Sequence, residues 1–294
     1  MSQLLITTDE HDFIVFDLNT NTVTHKQDKT EELHAHNLAN RGRPVFRPIG
    51  VDYDDKFIYI ASNDKLGKFN RSDYTFNSLI DIPLYINTHQ IVKDKDTLFV
   101  CNTAVDCIGI YDLKNNTNKQ FNVNLLNVHH TQHVPNNADQ LDSRHLNSLL
   151  SVNDKLLFCR HNRGIPNSDF GILDKNTLEA EIIVRAGKSC HGIRLIENYM
   201  YSLSSNTGEI LEINLETKEV SSYPIVDPKV TFLRGLEIMG NKIIIGCSVN
   251  FKSNTDQSSH LMILDLDSNT LNKFQLDDIK FINDLRRLVW NKNY

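Results

Sequence analysis

Residues 192–214 read Gly192-Ile-Arg-Leu-Ile-Glu-Asn-Tyr-Met-Tyr-Ser-Leu-Ser-Ser-Asn-Thr-Gly-Glu-Ile-Leu-Glu-Ile-Asn214. Glu197-Asn198 and Ser205-Asn-Thr-Gly208 are turn formers, and the segments between them have the length and apolar content of strands. Beyond Asn214, Glu216-Thr-Lys-Glu-Val-Ser221 supplies a turn and a further β-prone stretch. The whole phrase predicts four antiparallel strands in succession.

The same phrase recurs along the chain. Its anchor is an apolar strand ending in Asp or Asn: Phe13-Ile-Val-Phe-Asp17, Gly67-Lys-Phe-Asn70, Ile108-Gly-Ile-Tyr-Asp112, Gly171-Ile-Leu-Asp174, Ile210-Leu-Glu-Ile-Asn214 and Leu261-Met-Ile-Leu-Asp265. Asp and Asn suit that position because their side chains bond to backbone two residues on and close a hairpin. A second, more apolar hairpin precedes five of these anchors, as in Ser148-Leu-Leu-Ser-Val-Asn-Asp-Lys-Leu-Leu-Phe158 and Gly235-Leu-Glu-Ile-Met-Gly-Asn-Lys-Ile-Ile-Ile245. Four strands per unit of about 50 residues are the blades of a β-propeller. Six anchors predict an all-β, six-bladed propeller in one domain over residues 1–294.

The first unit lacks one strand, since Gln3-Leu-Leu-Ile-Thr-Thr8 reads as its second. Phe281-Ile-Asn-Asp-Leu-Arg-Arg-Leu-Val-Trp290 is left over. It fits a strand that completes the first blade, which would remove an open sheet edge. It also fits a short helix capped by Asn283 or Asp284. Three stretches break the period, at His25–Pro48, Asn122–Leu146 and Ser248–Ser259.

Composition narrows the function classes. The 294 residues are 40% hydrophobic and carry a net charge of −6 without basic clusters. Phosphate neutralisation needs grouped Lys and Arg, so neither nucleic acid nor an anionic membrane is an expected partner. No apolar run reaches the length of a membrane span, and the opening Met1-Ser-Gln-Leu-Leu-Ile-Thr-Thr8 lacks the basic region of a signal peptide. The five cysteines lack CxxC spacing, and three lie in apolar strands. They read as buried thiols of a cytoplasmic protein.

Aligned on their most apolar strands, four blades place His89, Asn147, His191 and Arg234 at one register position, with Pro48 there in the second blade. If the C-terminal segment closes the first blade, Asn283 or Asp284 falls near the same rung. In a propeller this position is the entry of the strand lining the central channel. Polar side chains converging there from different blades can surround a metal ion or a ligand. They can equally satisfy one another and ordered water.

Most of the twelve histidines map to loops on the same expected face: His34 and His36, His129, His130, His133 and His145, then His161 and His260. Arg160, Arg163, Asn162, Asn206 and Asn250 are expected there too. Guanidinium groups suit a carboxylate or phosphate.

At these residues the chain resembles a family of bacterial β-propellers of unassigned function. The shared steps are Arg144-His-Leu-Asn-Ser148, Cys190-His-Gly-Ile-Arg-Leu195 with Leu203-Ser-Ser-Asn-Thr-Gly-Glu-Ile210, and Phe232-Leu-Arg-Gly-Leu-Glu237. The sequence departs from the pattern at Ser148, where a glycine is expected, and at Ser205-Asn206. More loosely, it is similar to the lyase propeller of peptide-amidating enzymes, in which three histidines hold zinc beside an arginine. That resemblance implies His89 and His191 as metal ligands, with His145, Asn147, Asp284 or a loop histidine as the third. Calcium-dependent sugar lactonases fit worse, because no glutamate occupies the rung.

The expectation is therefore a metal-dependent lyase, hydrolase or epimerase acting on a small polar, anionic substrate. His89, His191 and His145 would hold a divalent ion (Zn, Fe, Mn or Ca). Arg234 would stabilise negative charge, and His161 or His133 would move protons. Asn147, Arg163 and Asn206 would contact the substrate. The alternatives are a metal-free small-ligand site and a protein-interaction propeller without catalysis.

Overall fold

The repeat folds as six four-stranded antiparallel sheets. The computed structural model describes residues 3–34, 48–62, 65–80, 87–123, 144–164, 167–250 and 258–289. The first sheet contains β1 (Gln3–Thr8), β2 (Phe13–Asp17) and β3 (Thr22–Gln27), followed by the one-turn helix α1 (Glu31–His34). The second is β4 (Gly50–Tyr53), β5 (Phe57–Ser62), β6 (Lys65–Asn70) and β7 (Phe76–Ile80). The third is β8 (Thr88–Asp94), β9 (Thr97–Asn102), β10 (Cys107–Asp112) and β11 (Thr117–Asn122). The fourth is β12 (Leu146–Val152), β13 (Lys155–Arg160), β14 (Ser168–Asp174) and β15 (Ala180–Ala186). The fifth is β16 (Cys190–Ile196), β17 (Tyr199–Ser204), β18 (Glu209–Asn214) and β19 (Val220–Pro224). The sixth is β20 (Thr231–Met239), β21 (Lys242–Val249), β22 (His260–Asp265) and β23 (Thr270–Gln275). These are the blades of an all-β six-bladed propeller.

The segment that fitted either a strand or a helix is a strand, β24 (Ile282–Leu288). It pairs antiparallel with β1 from Gln3↔Leu288 to Thr8↔Ile282, giving the order β24-β1-β2-β3. A helix would have buried only one face of this segment. As a strand it sends Ile282 and Leu285 into one apolar cluster and Leu288 into another.

The chain divides into two compact units, residues Met1–Pro83 with Lys229–Tyr294 (unit 1) and Leu84–Pro228 (unit 2). In unit 1, the middle strands explain why the sequence reads as unbroken apolar runs. Leu4 and Ile6 of β1, with Ile14 and Phe16 of β2, pack against Ile244, Leu261 and Ile263 of the sixth blade. The alternate residues Leu5, Phe13 and Val15 pack against Val51, Ile58, Ile60 and Phe69 of the second blade. A sheet buried on both faces must be apolar at every position. Unit 2 repeats the device: Leu156 and Phe158 of β13 join Phe99, Cys101 and Ile108 of the third blade, whereas Leu157 and Cys159 join Cys190, Met200 and Leu211 of the fifth.

The anchor Asp and Asn residues close their hairpins as the sequence predicts. Asp17, Asp112, Asp174, Asn214 and Asp265 each accept hydrogen bonds at Oδ1 from the backbone N–H groups two and three residues on. Asn70 departs from this: its amide donates to Thr75 Oγ1, and Asp73 accepts the turn N–H instead. All five cysteines are free and buried. No described helix is long and apolar enough to cross a membrane.

Candidate functional site

The polar register residues coincide with breaks in strand pairing. In β8 the register shifts between Thr88 and Ile91, so His89 and Gln90 oppose a single residue of β9. In β16 it shifts between His191 and Arg194, and in β20 between Leu233 and Leu236, around Arg234. Asn147 is the extra residue of β12, and Asn283 the extra residue of β24. These are β-bulges, which re-aim side chains and leave backbone groups for other partners. At His89, Asn147, Arg234 and Asn283 the side chain leaves the alternation that would otherwise demand an apolar residue, whereas His191 pairs with Leu203 and borders its bulge.

Unit 2 brings four histidines together. The His89 ring meets His145 edge-on at a centroid separation of 5.0 Å, His145 meets His161 at 4.6 Å, and His161 meets His191 at 5.2 Å. His89 and His191 are buried on the first strands of the third and fifth blades. His145 and His161, from the fourth blade, are half-buried and lie across a backbone pair in which His161 N–H donates to His145 O at 3.0 Å. His89 and His191, 102 positions apart in the sequence, are thus linked through the two histidines that lie between them.

The tautomer of His191 follows from its partners. Nδ1 lies 2.8 Å from the Ser189 carbonyl oxygen and 2.8 Å from Ser205 Oγ. A carbonyl only accepts, so Nδ1 carries the proton and Nε2 is the lone-pair nitrogen of the neutral ring. The backbone on both sides of His191 is held by the fourth blade. Asn147 Nδ2 donates to Cys190 O at 2.9 Å, and Gly192 N–H donates to Ser148 Oγ at 2.9 Å. Ser148 Oγ in turn donates to Asn147 Oδ1 at 2.9 Å. The serine found where the family pattern has glycine therefore has a bonding role.

The turn after β13 borders this cluster. Gly164 adopts a left-handed φ of +72°, and a Cβ there would come within 2.5 Å of Asn206 Nδ2 and 2.6 Å of Ser189 Oγ. Only glycine allows this approach, which brings the exposed Arg163 and Asn206 beside the residues that hold His191. Arg160 is occupied differently: buried, it chelates Asp169 Oδ2 through Nε at 3.1 Å and Nη2 at 2.6 Å, and donates to Val123 O at 3.0 Å.

Arg234 lies in unit 1. It is half-buried and donates to Asn283 Oδ1 at 2.7 Å, while the Asn283 amide donates to Asp9 Oδ1 at 2.8 Å and Pro48 O at 2.9 Å. Asp284 accepts from Val51 N–H at 3.3 Å and from Arg286 at 3.3 Å. His260 begins β22, and burial with nearby Lys273 pushes its imidazole below the ordinary range. His133 falls outside the described residues, as do His36, His129 and His130. Among the described residues, no three His, Cys, Asp or Glu side chains are grouped so as to hold a metal ion.

Sequence reading missed three contributors. Gln90, beside His89, accepts from Leu149 N–H at 2.9 Å. Arg194 is buried on β16, its Nη1 donating to Ile193 O at 2.7 Å. Asp106 bonds to the backbone around His145. The last belongs to a connection with no periodic pattern, so only tertiary pairing reveals it.

No family model matches the chain, and no curated protein matches it in sequence. Among solved structures it is similar to a chain in the crystal structure of a nidogen/laminin complex, with 12% identity, a TM-score of 0.71, and 99% of each chain covered. At that identity the likeness is one of fold: the chain is built as a six-bladed β-propeller.

Proposed function

We propose that the histidine file of unit 2 is a ligand site, and that its ligand is a small molecule bearing a carboxylate or phosphate group. The observation that carries this reading is the succession of ring contacts His89–His145–His161–His191, at 5.0, 4.6 and 5.2 Å. Apolar clusters already fill the space between these blades. Imidazolium N–H groups donate to an anion, and a bound anion favours the protonated form of a histidine. Binding and proton uptake are then linked, and affinity rises as pH falls towards about 6. Arg163 and Asn206, beside the Gly164 turn, supply further donors, and His161 in the middle of the file is the acid or base if a reaction follows. The five free, buried thiols support a reducing compartment such as the cytoplasm. The Cys-His-Gly-Ile-Arg and Leu-Arg-Gly-Leu steps support a place among the bacterial propellers that the sequence resembles.

The test is a titration of the histidine ring resonances with inorganic phosphate and with malonate, at about pH 6 and about pH 8. Shifts at these four rings, larger at the lower pH and abolished in His89→Ala and His191→Ala, support the reading. Four unmoved rings end it and leave the protein-interaction alternative.

A second reading places a divalent ion (Zn, Fe, Mn or Ca) on His89, His191 and His145, which are not grouped for one here and would have to move together around it. It is favoured by His191, whose Nδ1–H···O=C bond leaves Nε2 as the donor nitrogen in the manner of metal-bound imidazoles. Metal analysis of protein purified without a histidine tag decides it: less than about 0.2 ion per chain after supplementation rules it out.

A further inference from the structure

We propose that Asp106 is a positioning residue for His145, a role that rests on the histidine file being a ligand site. Asp106 is wholly buried in the connection between β9 and β10. Its two carboxylate oxygens reach into the next blade and accept from the backbone N–H groups of the residues before and after one histidine. Oδ2 accepts from Arg144 N–H at 2.9 Å and Oδ1 from Leu146 N–H at 3.2 Å.

The histidine between them needs such a hold. His145 sits at φ +57°, a left-handed conformation that non-glycine residues avoid. The two carboxylate bonds hold the N–H of Arg144 and that of the peptide group following His145, and Thr103 Oγ1 adds a bond to Leu146 O at 2.5 Å. From the fourth blade, Asn162 N–H donates to Arg144 O at 2.7 Å and His161 N–H to His145 O at 3.0 Å. The left-handed turn directs the His145 ring between His89 and His161. His145 is thus the link that joins the third blade's imidazole to the fourth's, and Asp106 sets its direction without contacting a ligand. The arrangement parallels the hold of Asn147 and Ser148 on the residues flanking His191, but here one side chain makes both bonds.

Asp106→Asn tests this. Asparagine keeps the size and the left-handed preference of Asp106, which itself has φ +52°, but presents an amide N–H where one peptide N–H needs an acceptor. The first readout needs no ligand: cross-relaxation between the His89 and His145 ring protons is expected to disappear in Asp106→Asn, while that between His161 and His191 persists. An intact His89–His145 signal overturns the proposal. The second readout uses inorganic phosphate as the probe. Asp106→Asn is expected to weaken binding about tenfold, the worth of one hydrogen bond to a charged acceptor, and to have no effect in a His145→Ala background. An equal loss in both backgrounds shows a merely structural role and overturns the proposal. If His145→Ala binds phosphate as the parent does, the ligand-site reading fails on its own, and the ring signals still decide whether Asp106 directs His145.

Discussion

Asn147 and Cys190 are joined by a hydrogen bond of 2.9 Å, from the asparagine amide to the carbonyl oxygen immediately before His191. Through Ser148, the same bulge also receives Gly192 N–H, so two side chains of one blade fix both peptide groups beside a histidine of the next. Bulges leave backbone groups without ladder partners, and these bonds return partners to them.

Asn147→Ala removes a buried donor and an acceptor and leaves the Cys190 carbonyl with only the weak Cys159 thiol as a side-chain donor. We expect a loss of about 2 kcal/mol in urea unfolding at unchanged m-value. Ser148→Ala interrupts the same network, and the double substitution is expected to cost less than the sum of the two. Strictly additive losses would show that the two side chains act independently.

Gly235 has φ +75°, and a Cβ there would lie 2.7 Å from Leu285 Cγ and 3.2 Å from the Asp284 backbone. Both the conformation and the neighbouring strand β24 reject a side chain. Gly235→Ala is expected to destabilise by about 3 kcal/mol. Gly240, at φ +62° but with nothing within 4 Å of a Cβ, separates the two causes. Gly240→Ala is expected to cost about 1 kcal/mol, from backbone conformation alone. Equal midpoints for the two variants would remove the packing argument.

Asp169 is buried between Arg160 and Arg185, bonded to the first at 2.6 Å and to the second at 2.9 Å. Burial raises its carboxyl pKa, but hydrogen bonds from Asn162, Arg160 and Arg185 with the Arg160 charge outweigh that and hold it below the ordinary value. A folded-state pKa below the unfolded one stabilises above the unfolded value and loses that contribution as pH falls through the folded one. Unfolding free energy should therefore decline as pH drops below about 4. Asp169→Asn should flatten that decline and cost about 3 kcal/mol at neutral pH, by leaving Arg160 buried without its carboxylate. An unchanged acid slope would sink the assignment.

Burial pushes the Cys107, Cys190 and Cys247 thiols up to about 12, and Cys159 well above the ordinary value. Thiolate is the reactive form, so the native protein should resist a disulfide reagent at neutral pH. All five thiols should react after unfolding. Rapid modification of any one in native protein would point to a nucleophile that the buried strands hide.

The blades were legible because both faces of each middle strand are buried and each hairpin closes on an Asp or Asn, two constraints written locally. Asp17, Asp174 and Asp265 could be read one at a time. The polarity of His89, Asn147 and His191 at the starts of three first strands was also legible, since an apolar or small residue is expected there. What it did was not. Asn147 proves to donate to the Cys190 carbonyl and to accept from the Ser148 hydroxyl, and Arg234 is engaged with Asn283. The union of His145 and His161 with His89 and His191 depends on a left-handed residue and a bond from Asp106, some 40 positions away, and spacing carries no trace of either.

The pairing of β1 with β24 has a consequence for how the chain comes off the ribosome. The sheet of β1 cannot be finished until the five blades that follow it have been synthesised, because the neighbour of Leu4 and Ile6 arrives with residues 282–288. Until then an apolar edge stands open and invites wrong partners. Completion of this sheet waits on β24, whose arrival closes that edge.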